Sequence, residues 1–526
     1  MGKGHQATGH DAPKHGRAKA KGKAAAGSTG PKGPKGSTKA RRRERSAEAR
    51  RGDPVELATE LPAAPGRPPG QRLYDMPFSS SEPRLVNGDV GLHNLVARSG
   101  HNAPYTIDVT LLDAPDHRLI RSGVLLAHRV LDGRGEWFLT APDWQPLLPK
   151  DRIEPMGHAD LPDDLAASIR PLRRRATLGP VAGLRCDRRE FALRDDAGTT
   201  LALLRDDKVT VRRGGLTTAR YREVMLTPVG PALSADQRAF VDRAFRHAGA
   251  NRVPRFPRLV TRLGAPATGP SDIPAEQALD GALPFRRFVG ALVGNRLREV
   301  VRCDLALRGG DTDAMPRLTA EAAALRAELS GLAPGLDPAW IEDLTDDLDW
   351  LVAATRDAAS RSARAPGAAP LRSERYLSVL ERLVGAARSP RLVVDGAEPT
   401  ADVLSALLEQ ETRRLREVAD PLRADATDAA WDHVRRAADR LRGLAQVAST
   451  VLPDASGTAL ALLRKTSPLL AAVQLGLPPA LPDVEAMTPA EAFAAGREHE
   501  RARHQHRRAR QDFVDRWAKT VRRLGG

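Results

Sequence analysis

The hydrophobic pattern of this chain changes its period once, near residue 265, and this change constrains the fold more than any other feature. Before it, short apolar or alternating runs such as YTIDVTLL (105–112) and TTLALLRDDKVTVRR (199–213) are separated by turn sequences, as in antiparallel strands. After residue 281, apolar residues recur every three or four positions, as in packed helices. The sequence therefore predicts an α+β chain, in which an antiparallel β domain precedes an all-α helical bundle.

Composition divides the chain into five segments. Residues 1–52 consist mainly of Lys, Arg, Gly, Ala and Pro, so we expect a disordered basic tail. Residues 53–84 continue as a Pro-rich linker. We expect the β domain over residues 85–264, a second linker over 265–281 and the helical half over 282–526.

The positive charge is concentrated in the tail. The whole chain carries a net charge of +16, and residues 1–52 hold eight lysines and seven arginines against three acidic residues. The tail therefore accounts for +12 and the rest of the chain for +4. If the positive charge of the chain binds nucleic acid, we expect the tail to bind it first. Such binding would be nonspecific and sensitive to salt.

Cysteine usage and hydropathy indicate a cytoplasmic protein. Cys186 and Cys303 are the only cysteines and no CxxC motif is present, so the sequence implies neither a disulfide framework nor a zinc-cysteine site. No apolar run approaches the ~20 residues that a membrane-spanning helix needs. The N-terminus also lacks the apolar segment of a signal peptide.

The stretch WDHVRRAADRLR (431–442) combines a buried stripe with a basic surface. Helical periodicity places Val434, Ala437 and Leu441 on one side, and four arginines on the other side and its flanks. Guanidinium groups suit phosphate because their rigid fork binds two oxygens at once. Asp439 lies within reach of two of these arginines, so a solvated face with internal salt bridges is the simpler interpretation.

Two other clusters suggest metal sites. His499 and His504 are five residues apart, whereas the zinc protease motif needs histidines at i and i+4, so zinc is not expected. The aspartates of the segment 343–349 could hold magnesium, but on an amphipathic helix such residues more often pair with arginines.

The β segment resembles the middle of a CYTH domain, the triphosphate tunnel fold. The similarity rests on DAPDHRLIRSGVLLAHR (113–129) followed by EWFLTAP (136–142), and on the later runs AGTTLALLRDDKVTV (197–211) and YREVMLTPVG (221–230). The resemblance implies a β tunnel or barrel that binds triphosphate with a divalent metal.

The charged residues of this fold are depleted here. The family's Glu-x-Glu-x-Lys strand is absent, Thr140 replaces a lysine, and Met225 replaces a glutamate. The residues left as a possible residual tunnel are Arg129, Arg152, Glu154 and Glu223. Because a metal-dependent triphosphatase needs several inward carboxylates, we expect a degenerate tunnel, with Mg²⁺ or Mn²⁺ required only if it is active.

The helical half resembles a CHAD domain, a helical module associated with inorganic polyphosphate and often found after a CYTH domain. The similarity rests on LTDDLDWLVAATRD (344–357), LRSERYLSVLERL (371–383) and WDHVRRAADRLR, which resembles the second copy of a basic His-x-x-Arg-Lys helix. In the first copy, PRLTAEAAALR (316–326), only the last arginine remains. The family and the Ala/Arg-rich composition suggest a bacterial source.

The leading hypothesis is a noncatalytic protein that binds a polyanion, inorganic polyphosphate above all, through its helical half. The candidate anion-binding residues are Arg435, Arg436, Arg440, Arg442, Arg326, Arg356, Arg503 and Arg507. Two alternatives stay open: a metal-dependent triphosphatase of the CYTH type, and a protein that associates with nucleic acid through its basic tail.

Overall fold

The computed structural model describes residues 68–98, 105–131, 134–149, 151–155, 161–361, 369–475 and 487–524. The predicted tail, residues 1–52, and the first part of the predicted linker, residues 53–67, lie outside this description. Within it, an antiparallel sheet domain precedes a helical region, so the predicted α+β order is confirmed.

The described strands form one antiparallel sheet in the order β10-β1-β9-β8-β7-β3-β4-β5-β6, with β2 paired to β7. Five of the nine pairs of neighbouring strands in this sheet are consecutive in sequence, and short turns join β7 to β8 and β8 to β9. The strands are β1 (Arg72–Met76), β2 (Asn94–Ala97), β3 (Tyr105–Asp113), β4 (Leu125–Leu131), β5 (Arg134–Thr140), β6 (Asp151–Pro155), β7 (Gly179–Arg194), β8 (Thr200–Arg213), β9 (Leu216–Pro228) and β10 (Asn251–Val253).

Strand β1 lies inside residues 53–84, which we predicted to be a linker. The sheet therefore begins at Arg72 rather than near residue 85. The strand has five residues, too few to show a hydrophobic period, and it follows a Pro-rich stretch. Its conformation depends on pairing with β9 and β10, which come about 150 residues later, and a local pattern cannot reveal such a contact.

In the described part of the β domain, five helices accompany the sheet: α1 (Arg118–Arg121), α2 (Asp163–Ser168), α3 (Arg170–Arg173), α4 (Ala235–His247) and α5 (Leu259–Leu263). Helix α4 begins with a capping box, in which Ser234 and Gln237 satisfy each other's backbone N–H groups. It covers the outer face of β1, β8 and β9, where the Tyr74 and Phe245 rings stack at 3.8 Å. We call the opposite face of the sheet the inner face.

One charged pair is fully buried on the outer face. Arg222 donates hydrogen bonds to both carboxylate oxygens of Asp206, at 2.8 and 2.6 Å, and another to the Ser80 carbonyl at 2.7 Å. Arg222 is fully buried and Asp206 nearly so. The hydrogen bonds of this bidentate pair therefore replace those that both groups make to water in the unfolded chain.

The described helical half contains eight long helices: α6 (Phe285–Arg308), α7 (Ala314–Leu332), α8 (Pro338–Arg361), α9 (Glu374–Arg388), α10 (Thr400–Ala419), α11 (Asp428–Ala448), α12 (Pro453–Leu475) and α13 (Pro489–Leu524). Helices α7 and α11 cross at two glycines. A Cβ built on Gly331 would lie 2.3 Å from the Gly443 carbonyl carbon, so the backbones touch only because both side chains are missing.

The β domain and the helical half belong to one compact unit, Glu56–Gly526. A continuous apolar core joins Trp144 and Leu172 of the β domain to Phe288 and Val300 of α6. The predicted linker 265–281 contains no helix or strand, but Asp272 and Ile273 within it are buried at this junction. No described helix has both the length and the apolar character needed to cross a bilayer.

Candidate functional site

Helix α11 carries four of the predicted anion-binding arginines. The Thr427 hydroxyl accepts a hydrogen bond from the Ala430 N–H and caps the helix. Val434, Ala437, Leu441 and Leu444 are fully buried, as their spacing predicts. The apolar stripe therefore fixes the rotation of the helix and leaves Arg435, Arg436 and Arg442 toward solvent.

These three arginines share two carboxylates. Arg435 bonds Asp432 at 2.6 Å and Asp439 at 3.2 Å, and Arg436 lies 3.2 Å from Asp432. Arg442 bonds Asp439 at 2.8 Å and the Ser467 hydroxyl of α12 at 2.5 Å. We name this surface, Asp432, Arg435, Arg436, Asp439 and Arg442, the α11 surface. It has three positive charges and two negative charges.

The ion pairs of the α11 surface are exposed and therefore weak. The three arginine side chains are 36–57% exposed. Exposed pairs of this kind contribute about 0.2–1 kcal/mol each. The hydrogen bond from Arg435 holds the pKa of Asp432 below its ordinary range, so this carboxylate is ionised at neutral pH. A ligand with several closely spaced anionic groups can compete with such partners for the guanidinium groups.

Arg440 has a structural partner that the sequence pattern does not reveal. Its Nε lies 3.3 Å from Oε2 of Glu411 on α10, and Glu411 is fully buried. Arg414 also approaches Glu411, at 3.7 Å. Arg440 therefore neutralises a buried charge between α10 and α11 and is separate from the α11 surface.

The other predicted arginines lie on three different helices. Arg326 of α7 pairs with Asp349 of α8 at 2.9 Å, and Arg503 of α13 pairs with Glu500 at 2.8 Å. Arg356 and Arg507 are exposed on α8 and α13. Arg435, Arg436 and Arg442 of the predicted set are thus brought together through their shared aspartates.

A small groove beside Arg435 contains residues outside the predicted set. It has a volume of about 310 Å³, lies between α11, α12 and α13, and is lined in part by Trp431, Arg435, His506 and Arg510. The Arg510 guanidinium lies over the Trp431 ring at 5.2 Å and also pairs with Asp428. Arg510 is largely buried, so it supports the packing of α13 on α11.

On the inner face of the sheet, one row of paired residues carries most of the charge. The strand register aligns Asp75, Glu223, Asp207, Arg188 and Tyr105 across β1, β9, β8, β7 and β3. Side chains at paired positions point to the same face, so this row forms a belt of acidic and basic groups. The sequence pattern identified Glu223 but missed Asp75, because β1 was missed.

Arginines already neutralise the carboxylates of this row. Arg188 holds Asp207 with two hydrogen bonds, at 2.7 and 2.9 Å, and Arg205 approaches Asp207 at 3.3 Å. Arg262 lies 3.3 Å from Asp75 and 3.4 Å from Glu223. Glu223 is 5% exposed, and burial raises its pKa to about 8 although Arg262 opposes the shift.

This arrangement does not fit a divalent cation. A cation needs ionised oxygens that are free to turn toward it, and here the arginine donors hold them. The described residues also contain no group of three or more His, Cys, Asp or Glu side chains placed to ligate a metal.

Arg129 and Arg152, two of the predicted tunnel residues, lie on opposite faces of the sheet. Arg129 lies on the inner face, largely buried, and bonds Glu136 at 2.6 Å. Arg152 is registered with Leu139 and lies on the outer face, where it pairs with Asp164. In the backbone pairing of β5 with β6, Glu154 lies opposite Trp137. The face on which Arg152 lies depends on strand register, which the sequence pattern does not specify.

A family model matches the middle of the helical half. Residues 318–474, from α7 to α12, match the CHAD domain. This chain therefore contains a CHAD domain. The α11 surface, Arg326 and Arg356 lie within the matched residues, whereas Arg503 and Arg507 lie beyond them. No curated protein sequence matches the chain.

Several solved structures are similar to parts of the chain. PptA from Streptomyces chartreusis is 19% identical with a TM-score of 0.31, and the match covers 44% of this chain and 98% of PptA. The CHAD domain from the plant Ricinus communis is 18% identical, with a TM-score of 0.31 and coverage of 47% and 95%.

A third structure is similar to a smaller share of the chain. It is the Hippeastrum protein HpAC1, described as having a dominant triphosphatase activity. It is 10% identical with a TM-score of 0.18, and the match covers 35% of this chain and 88% of HpAC1. Similarity at these levels supports no statement about the activity of the present chain.

Proposed function

We propose that the CHAD domain of this chain binds a linear polyanion, inorganic polyphosphate above all, at the α11 surface. The observation that carries the proposal is the excess of guanidinium groups: Arg435, Arg436 and Arg442 share only Asp432 and Asp439. A phosphate chain offers a charged oxygen to each arginine, whereas the two aspartates must be shared. Charge-assisted hydrogen bonds of this kind contribute about 1.5–3 kcal/mol each.

The ion pairs of the inner face support binding without hydrolysis. Arg188, Arg205 and Arg262 occupy the carboxylates that a metal-dependent hydrolase would use for its ions. In such a hydrolase, free carboxylates hold the ion that polarises the phosphoryl oxygens and activates water. The β domain then acts as a scaffold for the CHAD domain.

A titration with long-chain polyphosphate tests this proposal. We expect binding at low salt that weakens as salt is added, because binding releases counterions. The double variant Arg435→Gln/Arg442→Gln should bind at least about tenfold more weakly. The matched control is Arg185→Gln/Arg189→Gln, which removes two exposed, ion-paired arginines from β7. Equal weakening in both double variants, or no binding at low salt, contradicts the proposal.

The alternative function is a metal-dependent triphosphatase of the CYTH type. It is favoured by one observation, the presence of Asp75 beside Glu223 on the inner face, both within reach of Arg262. Release of phosphate from tripolyphosphate with Mg²⁺ or Mn²⁺, abolished by Glu223→Ala, supports the alternative. Absence of release with either metal argues against it.

A second alternative, association with nucleic acid, depends on the tail outside the described residues. Deletion of residues 1–52 removes a net charge of +12. If the tail is the nucleic-acid element, the deletion abolishes DNA binding and leaves polyphosphate binding in place. Loss of both would place all anion binding in the tail and contradict the assignment to the α11 surface.

A further inference from the structure

A second basic site lies at the junction of the β domain and the helical half. It is a cleft of about 880 Å³, which we call the junction cleft. Its lining contains five arginines, Arg152, Arg170, Arg173, Arg308 and Arg372, and three aspartates, Asp163, Asp164 and Asp313. The α11 surface contributes no residue to its lining.

One of the five arginines is fully used in holding the junction together. Arg308 pairs with the fully buried Asp304 at 2.8 Å, and its other donors reach the Ala167 carbonyl at 3.0 Å and the Leu371 carbonyl at 3.2 Å. Tyr376 also donates to Asp304, at 3.0 Å. This network connects both halves of the protein and gives the cleft a fixed wall.

The acidic residues of α9 are occupied by neighbouring arginines. The Glu381 carboxylate lies 3.0 Å from a guanidinium nitrogen of Arg118 and 2.9 Å from one of Arg174. The Glu374 carboxylate lies 2.9 Å from a guanidinium nitrogen of Arg175. These pairs cross from the β domain to the helical half. Arg170, at the start of α3, therefore shares Glu374 with Arg175 and lies 3.5 Å from it.

Arg173 and Arg372 have no ion pair with any residue in the described ranges. Arg173 is half-buried, and its Nε is buried without a hydrogen-bond partner. Burial lowers its pKa, and the neighbouring charge of Arg170 lowers it further. Arg170 is only loosely paired: it donates to the Arg372 carbonyl at 3.1 Å and lies 3.5 Å from Glu374, and its Nε also lacks a partner.

Like charges placed together with buried, unused donors are unfavourable unless an anion joins them. We propose that the junction cleft binds a compact condensed phosphate of the pyrophosphate class through Arg170, Arg173 and Arg372. The planar donors of three arginines suit the oxygens of two phosphoryl groups, and the cleft exceeds the size of a single phosphate. Because Arg170 and Arg173 belong to the β domain and Arg372 to the helical half, the ligand ties the two together.

Calorimetric titration of the full chain with pyrophosphate tests this site. Arg173→Gln and Arg372→Gln should each weaken binding about tenfold or more. Arg372 is exposed, so its variant keeps the test valid if Arg173→Gln fails to fold. The control Arg175→Gln removes an ion pair across the same junction but does not line the cleft, and it should keep the native affinity.

The outcomes separate this site from the α11 surface. The variant Arg435→Gln/Arg442→Gln should bind pyrophosphate as tightly as the native chain, whether or not it has lost long-chain polyphosphate. The proposal is overturned by the absence of pyrophosphate binding at low salt. It is also overturned if Arg372→Gln binds as well as the native chain, or if Arg175→Gln loses as much affinity as Arg372→Gln.

Discussion

Two donors of Arg435 bind the same oxygen of Asp432: Nε and Nη2 lie 3.0 and 2.6 Å from Oδ1. The two residues are three positions apart on α11, so the helix itself sets their approach. A carboxylate bound in this way occupies the donors that a phosphate would use. Asp432 therefore acts as an internal competitor for the ligand of Arg435.

Removal of the negative charge of Asp432 should strengthen polyanion binding. We expect Asp432→Asn to raise the affinity for long-chain polyphosphate about threefold to fivefold, because the exposed ion pair with Arg435 no longer has to be broken. Asp425→Asn makes the same change of charge at an exposed position near the start of α11 and should have a smaller effect. Equal gains in the two variants would mean that net charge alone governs binding.

Removal of Arg440 should affect stability rather than binding. Arg440→Gln leaves the buried Glu411 with only the distant Arg414, and we expect a loss of about 2 kcal/mol in the free energy of unfolding. Arg436→Gln, at an exposed pair, should cost less than about 0.5 kcal/mol. Urea denaturation measures both. Recovery of stability in Arg440→Gln/Glu411→Gln would identify the buried carboxylate as the cause.

The crossing of α7 and α11 should tolerate no side chain at its glycines. In Gly443→Ala, the new Cβ would lie 2.4 Å from the Ala327 carbonyl oxygen, which is backbone and cannot turn aside. We expect a loss of about 3 kcal/mol or more. Gly457→Ala on α12 is the control, because no atom lies within 4 Å of its Cβ position and alanine favours a helix. Thermal unfolding that is unchanged in Gly443→Ala would contradict the crossing.

Glu223 should make the protein less stable as the pH rises from about 5 to 7. Its pKa is near 8 in the folded chain and near 4.5 when unfolded, so in this window the unfolded chain gives up a proton that the folded chain keeps. The folded state then loses about 1.4 kcal/mol per pH unit. Glu223→Gln removes this dependence, so its advantage over the native chain should grow by about 2 kcal/mol between pH 5 and 7. Urea midpoints at the two pH values measure it, and a constant difference would contradict the raised pKa.

The parts of the fold that the sequence predicts are those set by local periodicity. The buried stripe of α11, its exposed arginines and the antiparallel runs of the β domain all depend on spacings within one segment. The missed features depend on distant contacts. Strand β1 exists because β9 and β10 pair with it, and the face of Arg152 depends on its register with β5.

The candidate site could likewise be predicted from the sequence where the interacting residues lie on one helix, and not where they lie on different elements. The aspartates that pair with Arg435 and Arg442 lie on the same helix, so their spacing indicates them. Glu411 lies on another helix and shows no local sign of pairing with Arg440. The junction cleft joins residues about 200 positions apart, such as Arg170 and Arg372, and only the tertiary structure can bring them together.

The two buried pairs of β8 have a consequence for how the sheet assembles. Asp206 pairs with Arg222 on the outer face and Asp207 with Arg188 on the inner face, so two adjacent residues of one strand find their partners on opposite sides. If β8 slipped by one position, Asp206 and Asp207 would exchange faces, and both bidentate pairs would have to form again in a different geometry. The two pairs as observed therefore belong to one alignment of β7, β8 and β9.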